Sequence, residues 1–313
     1  AFLGPYPHRS LTAVLMPDWA PEASSMEYPQ LFTLPLLRDD RSLWVDELAA
    51  VTFHELTHQW FQAVVASDEA RWPVLDEGMT SYVEARLLEA YRRETAPVLG
   101  RLAPSTWSVW RTEAVSDATV PMATAAEDFR GLAELGTHVY RRFPLLVEML
   151  ARRYGTEPVD QALSDYAREQ RFEHPTPAAL VTPFRTRVGP EAAQLLEQAL
   201  FTGSSLSVEV RPPDAGAPAV ACVTRGGALP FPIPLVRTRS SGARDLFTVP
   251  VGTAHWCAPE VPGDSTALVQ VDPDFIALLD TNARHHRLSP GATAQWRRDA
   301  RLWGALWAGL SAL

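Results

Sequence analysis

The chain contains no lysine: all 28 basic residues are arginine, and Asn282 is the single asparagine. With abundant alanine, proline and leucine this reads as a coding bias, and no function is taken from it. No basic cluster is present, and 37 acidic residues set the formal charge at −9. That balance argues against a nucleic-acid surface. Cysteine is nearly absent as well. Cys222 and Cys257 make no zinc-type Cys-x-x-Cys and are read as two buried thiols, with a disulfide as the alternative. No charged and apolar leader opens the chain. The apolar tail Trp303–Leu313 is only 11 residues long, whereas a membrane-spanning helix needs about 20. No internal repeat is apparent.

What remains is a folded globular composition. At 313 residues, 46% of them hydrophobic, the chain exceeds one typical domain and can bury a substantial core. Its most informative stretch is His54-Glu55-Leu56-Thr57-His58, followed after eighteen residues by Glu77 within Asp-Glu-Gly. Residues four apart share a helix face, so His54 and His58 can address one ion. Glu77 at the start of a following helix completes a two-imidazole, one-carboxylate zinc set with a fourth position open for water. Glu55 beside them is free to act as a base. The spacing of Leu48, Val51, Phe53, Leu56, Trp60, Phe61 and Val64 predicts a buried helix over about 46–66. Gly78 suits close approach of two helices at a metal. Glu84, two turns beyond Glu77, is read as the carboxylate that orients a ligand imidazole, against a solvent-facing Glu on an amphipathic helix.

Residues 8–17 read as a strand and 26–36 as a second extended segment, with Pro29 marking an edge strand. Helices are predicted at 46–66, 76–94, 122–135, 136–153, 158–169, 176–187 and 190–201, with Gly155 as a stop. Beyond Gly203 short strands alternate with Pro/Gly turns, at 206–210, 219–223, 235–236, 246–251 and 267–271, which implies a small β-sandwich. Adjacent His285 and His286, flanked by arginines, read as a solvated turn. The expected division is 1–203, 204–288 and a helical segment over 289–313, in fold class α+β.

His-Glu-Leu-Thr-His-Gln-Trp-Phe (54–61), Asp-Glu-Gly-Met-Thr-Ser-Tyr-Val-Glu (76–84), Met-Glu-Tyr-Pro (26–29) and Tyr140 with the apolar run after it resemble the M1 family of zinc aminopeptidases, a branch of the gluzincins. The resemblance covers about residues 1–200 well and 205–285 weakly. It implies a thermolysin-like catalytic domain for 1–203. It implies zinc ligands at His54, His58 and Glu77, a general base at Glu55 and a transition-state tyrosine at Tyr140. It also implies that Glu27 binds the substrate's free amino group. Read from the residues alone, Tyr140 and Glu27 are equally an ordinary structural tyrosine and an ordinary strand carboxylate.

Three departures from the family pattern stand out. Ser24-Ser25 replaces a glycine-rich start, Asp76 stands where Asn is common, and the large N-terminal β-domain of the family is missing. With Ala1 rather than Met at the first position, the expectation is a portion of a larger protein with a companion β-domain fragment or chain. The expected location is cytoplasmic, or membrane-associated if a parent chain continues. Peptides are the expected substrate. The competing readings are an endopeptidase with the same metal site, in which Glu27 is structural, and a non-catalytic zinc-stabilised interaction module.

Overall fold

A computed structural model describes residues 3–17, 19–20, 25–36, 43–95, 104–114, 120–213, 219–260, 262–282 and 286–288. The chain divides into two compact units, Ala1–Ser204 and Ser205–Leu313. The architecture is α+β, a mainly helical unit with one small sheet followed by a unit of two small sheets. The helical segment expected over 289–313 lies outside the described residues.

The first unit opens with β1 (Thr12–Met16), β2 (Met26–Tyr28) and β3 (Leu31–Pro35) in sheet order β1-β3-β2. β1 runs parallel to β3, whereas β2 and β3 form an antiparallel hairpin that places Glu27 opposite Phe32. The extended segment expected over 26–36 is therefore folded back on itself. Gln30 takes a left-handed φ of 65° in the turn after Pro29, and Pro pre-sets the preceding turn position. β2 is an edge strand among the described residues.

Helix α1 (Leu43–Thr57) follows and packs against this sheet. It ends well short of the expected 66. The amides of Gln59 and Trp60 bond back three residues, to Leu56 and Thr57, and Gln62 adopts φ 100°. The bend turns Phe61, Val64 and Val65 into the core, where each is at most 5% exposed, instead of spacing them along a helix.

Two later helices are entered through π-wound turns. Val74–Gly78 leads into α2 (Met79–Thr95). α3 (Thr106–Glu113), capped by Ser105 accepting from Ser108 N, was not anticipated. The helix expected at 122–135 is confined to α4 (Leu132–Leu135), because Gly131 at φ 153° breaks the winding before it. α4 continues through a second π segment, Gly136–Arg142, into α5 (Phe143–Tyr154). α5 is the buried axis of the unit: Phe143, Leu145, Leu146, Val147, Met149 and Leu150 are all inaccessible. Gly155, at φ 104°, ends it. Helices α6 (Thr156–Glu169), α7 (Ala178–Arg187) and α8 (Pro190–Phe201) complete the unit.

The second unit holds two antiparallel sheets. One comprises β4 (Ser207–Arg211), β5 (Ala219–Gly226) and β8 (His255–Pro259) in the order β4-β5-β8. The other comprises β6 (Ile233–Arg239), β7 (Arg244–Val249), β9 (Thr266–Val271) and β10 (Arg287–Leu288) in the order β10-β9-β6-β7. β8 and β10 are additions to the sequence reading. Val208 on one sheet and Leu235, Val269 and Val271 on the other are buried, and β4 touches β9.

Two expectations are corrected in this unit. Cys222 and Cys257 are not separate thiols: they face each other across β5 and β8 and form a disulfide, with 4.0 Å between their Cα atoms. His286 is not solvated either. It is 6% exposed and its Nε2 binds the buried Asp280 carboxylate, whose other oxygen accepts from Val208 N and Asn282 N. No helix among the described residues is long and apolar enough to cross a membrane.

Candidate metal centre

The end of α1 presents His54 and His58 on one face, and the first π turn delivers Glu77 to them. The three facing atoms form a small triangle: His54 Nε2 to Glu77 Oε2 is 2.9 Å, His58 Nε2 to Glu77 Oε2 is 3.4 Å, and the two Nε2 atoms are 3.2 Å apart. Zinc bonds of about 2.0–2.1 Å at tetrahedral angles separate neighbouring ligand atoms by about 3.3 Å, so the donor set fits that ion.

The far side of each imidazole is also held. His54 Nδ1 lies 3.0 Å from Glu84 Oε2. His58 Nδ1 lies 2.7 Å from Asp76 Oδ1, with the Phe61 carbonyl at 3.2 Å and Thr80 Oγ1 at 3.3 Å. A carboxylate against each Nδ1 keeps the proton there and turns the Nε2 lone pair inward, as metal ligation requires.

The electrostatics follow from this crowding of carboxylates. Burial works against charge on His54, but hydrogen bonds to Glu77 and Glu84 carry its pKa up to about 9. Burial likewise opposes charge on His58, and the bond to Asp76 overrides it in the upward direction. Asp76 is pushed up to about 6 by burial, which exceeds the opposing hydrogen bond to His58. Glu77 falls below the ordinary carboxylate range: burial is outweighed by its bonds to both imidazoles. The cluster thus concentrates negative charge where a dication would sit, and a metal binding there would displace protons.

Glu55 occupies a different position. It is 3% exposed, and its Oε2 has no hydrogen-bond partner among the described residues. Burial pushes its carboxyl up to about 7; His54 and His58 oppose the rise, and Glu27 and Glu77 add to it. An orphaned buried carboxylate oxygen beside a metal-competent triangle marks a place where something polar is meant to be.

Tyr140 and Glu27 reach the same cluster. The Tyr140 ring stacks on His54, with centroids 5.9 Å apart at 14°. Burial, and then the Glu77 carboxylate, raise the pKa of its hydroxyl. It sits in the second π segment, which touches the first. Gly78 suits that approach, because a Cβ there would lie 3.3 Å from the Val139 carbonyl oxygen in the second π segment and 2.7 Å from Phe143 Cδ1 at the start of α5. Glu27, on β2, brings its carboxylate within 4.8 Å of ligating atoms of both His58 and Asp76. All seven residues singled out in the sequence therefore converge.

Sequence reasoning missed two others. Asp76 registered only as a departure from a pattern, although an acidic side chain immediately before Glu77 was a signal that the second imidazole had a partner. Gln59 gave no signal: its importance depends on how the chain bends after His58.

Two imidazoles, one carboxylate and an adjacent unligated buried carboxylate define the class of a hydrolytic metal centre. The peptidase family M1 domain matches residues 1–198, and the chain belongs to that family of zinc metallopeptidases. Similar solved structures include a Glu-to-Ala mutant of an M1 zinc metallopeptidase from Deinococcus radiodurans with a Tyr-Ser-Ala substrate. Two-domain M1 zinc metallopeptidase mutants bound to L-tryptophan and to L-arginine are also similar. Each is 23% identical, with TM-scores of 0.48, 0.48 and 0.47. The matches cover 64% of this chain but 41% of theirs, so this chain spans less than half of their length. No curated protein matches the sequence.

Proposed function

We propose that this chain carries the active site of a zinc aminopeptidase, which removes residues from the free amino end of peptides. His54 Nε2, His58 Nε2 and Glu77 Oε2 would hold the metal. Zinc bound there supplies Lewis acidity toward the scissile carbonyl and lowers the pKa of water. Glu55 Oε2 takes the proton of the attacking water and passes it to the departing amine. The Tyr140 hydroxyl donates to the carbonyl oxygen as charge develops on it. The Glu27 carboxylate receives the substrate's ammonium and disfavours internal segments of a polypeptide, which bring no such charge.

The observation that carries this reading is the Glu27 carboxylate within 4.8 Å of His58 and Asp76, together with the orphaned Glu55 oxygen. Two measurements test it. Glu55→Gln should keep stoichiometric zinc while turnover falls by roughly 10²- to 10⁴-fold, the share typical of a general base. Loss of zinc, or near-normal turnover, removes the assigned role. Paired assays of free and N-acetylated peptides should show cleavage only of the free ones. Strong internal cleavage of blocked peptides would make the enzyme an endopeptidase instead.

A further inference from the structure

Gln59 follows His58 directly and is 1% exposed, yet it touches neither the triangle nor Glu55 in the hydrogen-bond network. Its amide is used elsewhere. Nε2 donates to the Tyr28 carbonyl at 3.0 Å, and Oε1 accepts from Gln30 N–H at 2.9 Å and from the Tyr6 hydroxyl at 3.4 Å. A planar amide that meets a C=O and an N–H two residues apart pairs with the backbone as a neighbouring strand would. The backbone it pairs with is the β2–β3 turn, where Gln30 takes its left-handed conformation.

Glu27 is one residue before that turn. β2 is only three residues long and lies at the sheet edge, and Met26, Tyr28 and Gln30 are all exposed. Such a strand has little burial of its own to fix its height above the metal ligands. Gln59, by contrast, is anchored through the backbone to His58. The side chain therefore links the metal-binding segment to the strand that bears Glu27.

We infer that Gln59 is a positioning residue for amino-terminal recognition: by clamping the β2–β3 turn it sets the distance between the Glu27 carboxylate and the metal triangle. The inference rests on the reading of Glu27 as the ammonium acceptor. A displacement of about 1 Å in a positioning group can cost on the order of 100-fold, so a clamp of two hydrogen bonds to the turn, with Tyr6 bonding the same amide, is enough to govern selectivity.

The test uses the full chain with zinc. Gln59→Met keeps the volume and removes all three bonds, and Gln59→Glu keeps the acceptor for Gln30 N–H but loses the donor to Tyr28. An aminoacyl anilide and its des-amino counterpart are compared as substrates. In Gln59→Met the preference for the free amine should fall by roughly 10- to 100-fold, chiefly through KM, while des-amino turnover changes by no more than about twofold. Gln59→Glu should fall in between. In a Glu27→Gln background, Gln59→Met should add almost nothing to the loss of preference.

A second readout needs no catalysis: the exposed Gln30 amide should exchange slowly with deuterated solvent in the parent and rapidly in Gln59→Met. If Gln59→Met does not fold, Gln59→Glu and the exchange of Gln30 in the parent still decide the matter. Glu27→Gln with unchanged preference overturns the ammonium reading, and the clamp's role with it. Glu27→Gln with lost preference but Gln59 variants without effect overturns the clamp alone. Equal losses on both substrates, or a fast-exchanging parent Gln30, also overturn it.

Discussion

Both compact units bury a histidine against an aspartate, and the two pairs do different work. In the first unit His58 and Asp76, each 1% exposed, leave the second imidazole nitrogen facing His54 and Glu77. In the second unit Asp280 joins His286 to the backbone amides of Val208 and Asn282. His286 Nδ1 meets no partner among the described residues. On the proposed reading the first pair is an arm of the metal centre, whereas the second is a lock between separate stretches of chain. A buried His–Asp pair by itself therefore says little; the surroundings of the other nitrogen decide its use.

That distinction can be broken most forcefully at the lock. Asp280→Ala strands His286 and two amides, and should lower the unfolding free energy of the second unit by about 3–5 kcal/mol. Urea titration followed by Trp fluorescence reads it, and a change below about 1 kcal/mol would show that the pair holds nothing.

A histidine whose burial outweighs its opposing carboxylate, Glu134, sharpens the contrast. His138 is 3% exposed, and burial, then Arg142, lower its pKa to about 4. The unfolded chain, with an ordinary value near 6.5, takes up the proton first as pH falls. Stability present above pH 6.5 should thus be lost between about 6.5 and 4, by about 3 kcal/mol in all. Denaturant midpoints at pH 7 and pH 4 should lie closer together in His138→Leu than in the parent; an equal gap in both would remove His138 as the cause. Smallest is Asp76→Asn, which keeps a hydrogen bond to His58 but removes charge. Zinc affinity should fall by about 10- to 100-fold, measured by chelator competition, while the second unit unfolds unchanged.

The sequence made the first pair's neighbourhood legible because helical spacing is local. His54, Glu55 and His58 lie within one turn, and Glu77 and Glu84 follow at countable intervals. Other features depend on distant backbone. The end of α1 at Thr57 comes from burial of Phe61 and Val65, which overrides a helical apolar pattern. The Cys222–Cys257 bond depends on the register of β5 against β8, and the burial of His286 on a bridge from Leu206 to Asp280. Gln59 depends on the hairpin that splits the expected single extended segment at Pro29 and Gln30. Short-range rules carry no information about any of these.

The π-wound turns at Val74–Gly78 and Gly136–Arg142 impose a bookkeeping of length. A π turn accommodates roughly one residue more than α winding, and each residue of regular helix is worth about 100° of rotation. The count of eighteen residues between His58 and Glu77 is therefore meaningful only with that surplus residue in place. A homologue shortened by one position there would wind as an ordinary helix with Glu77 rotated off the triangle, although every motif letter were retained. On the proposed reading, an insertion or deletion in the turn that carries Glu77 would therefore disturb the metal set as a replacement of Glu77 would, with no change in any motif residue.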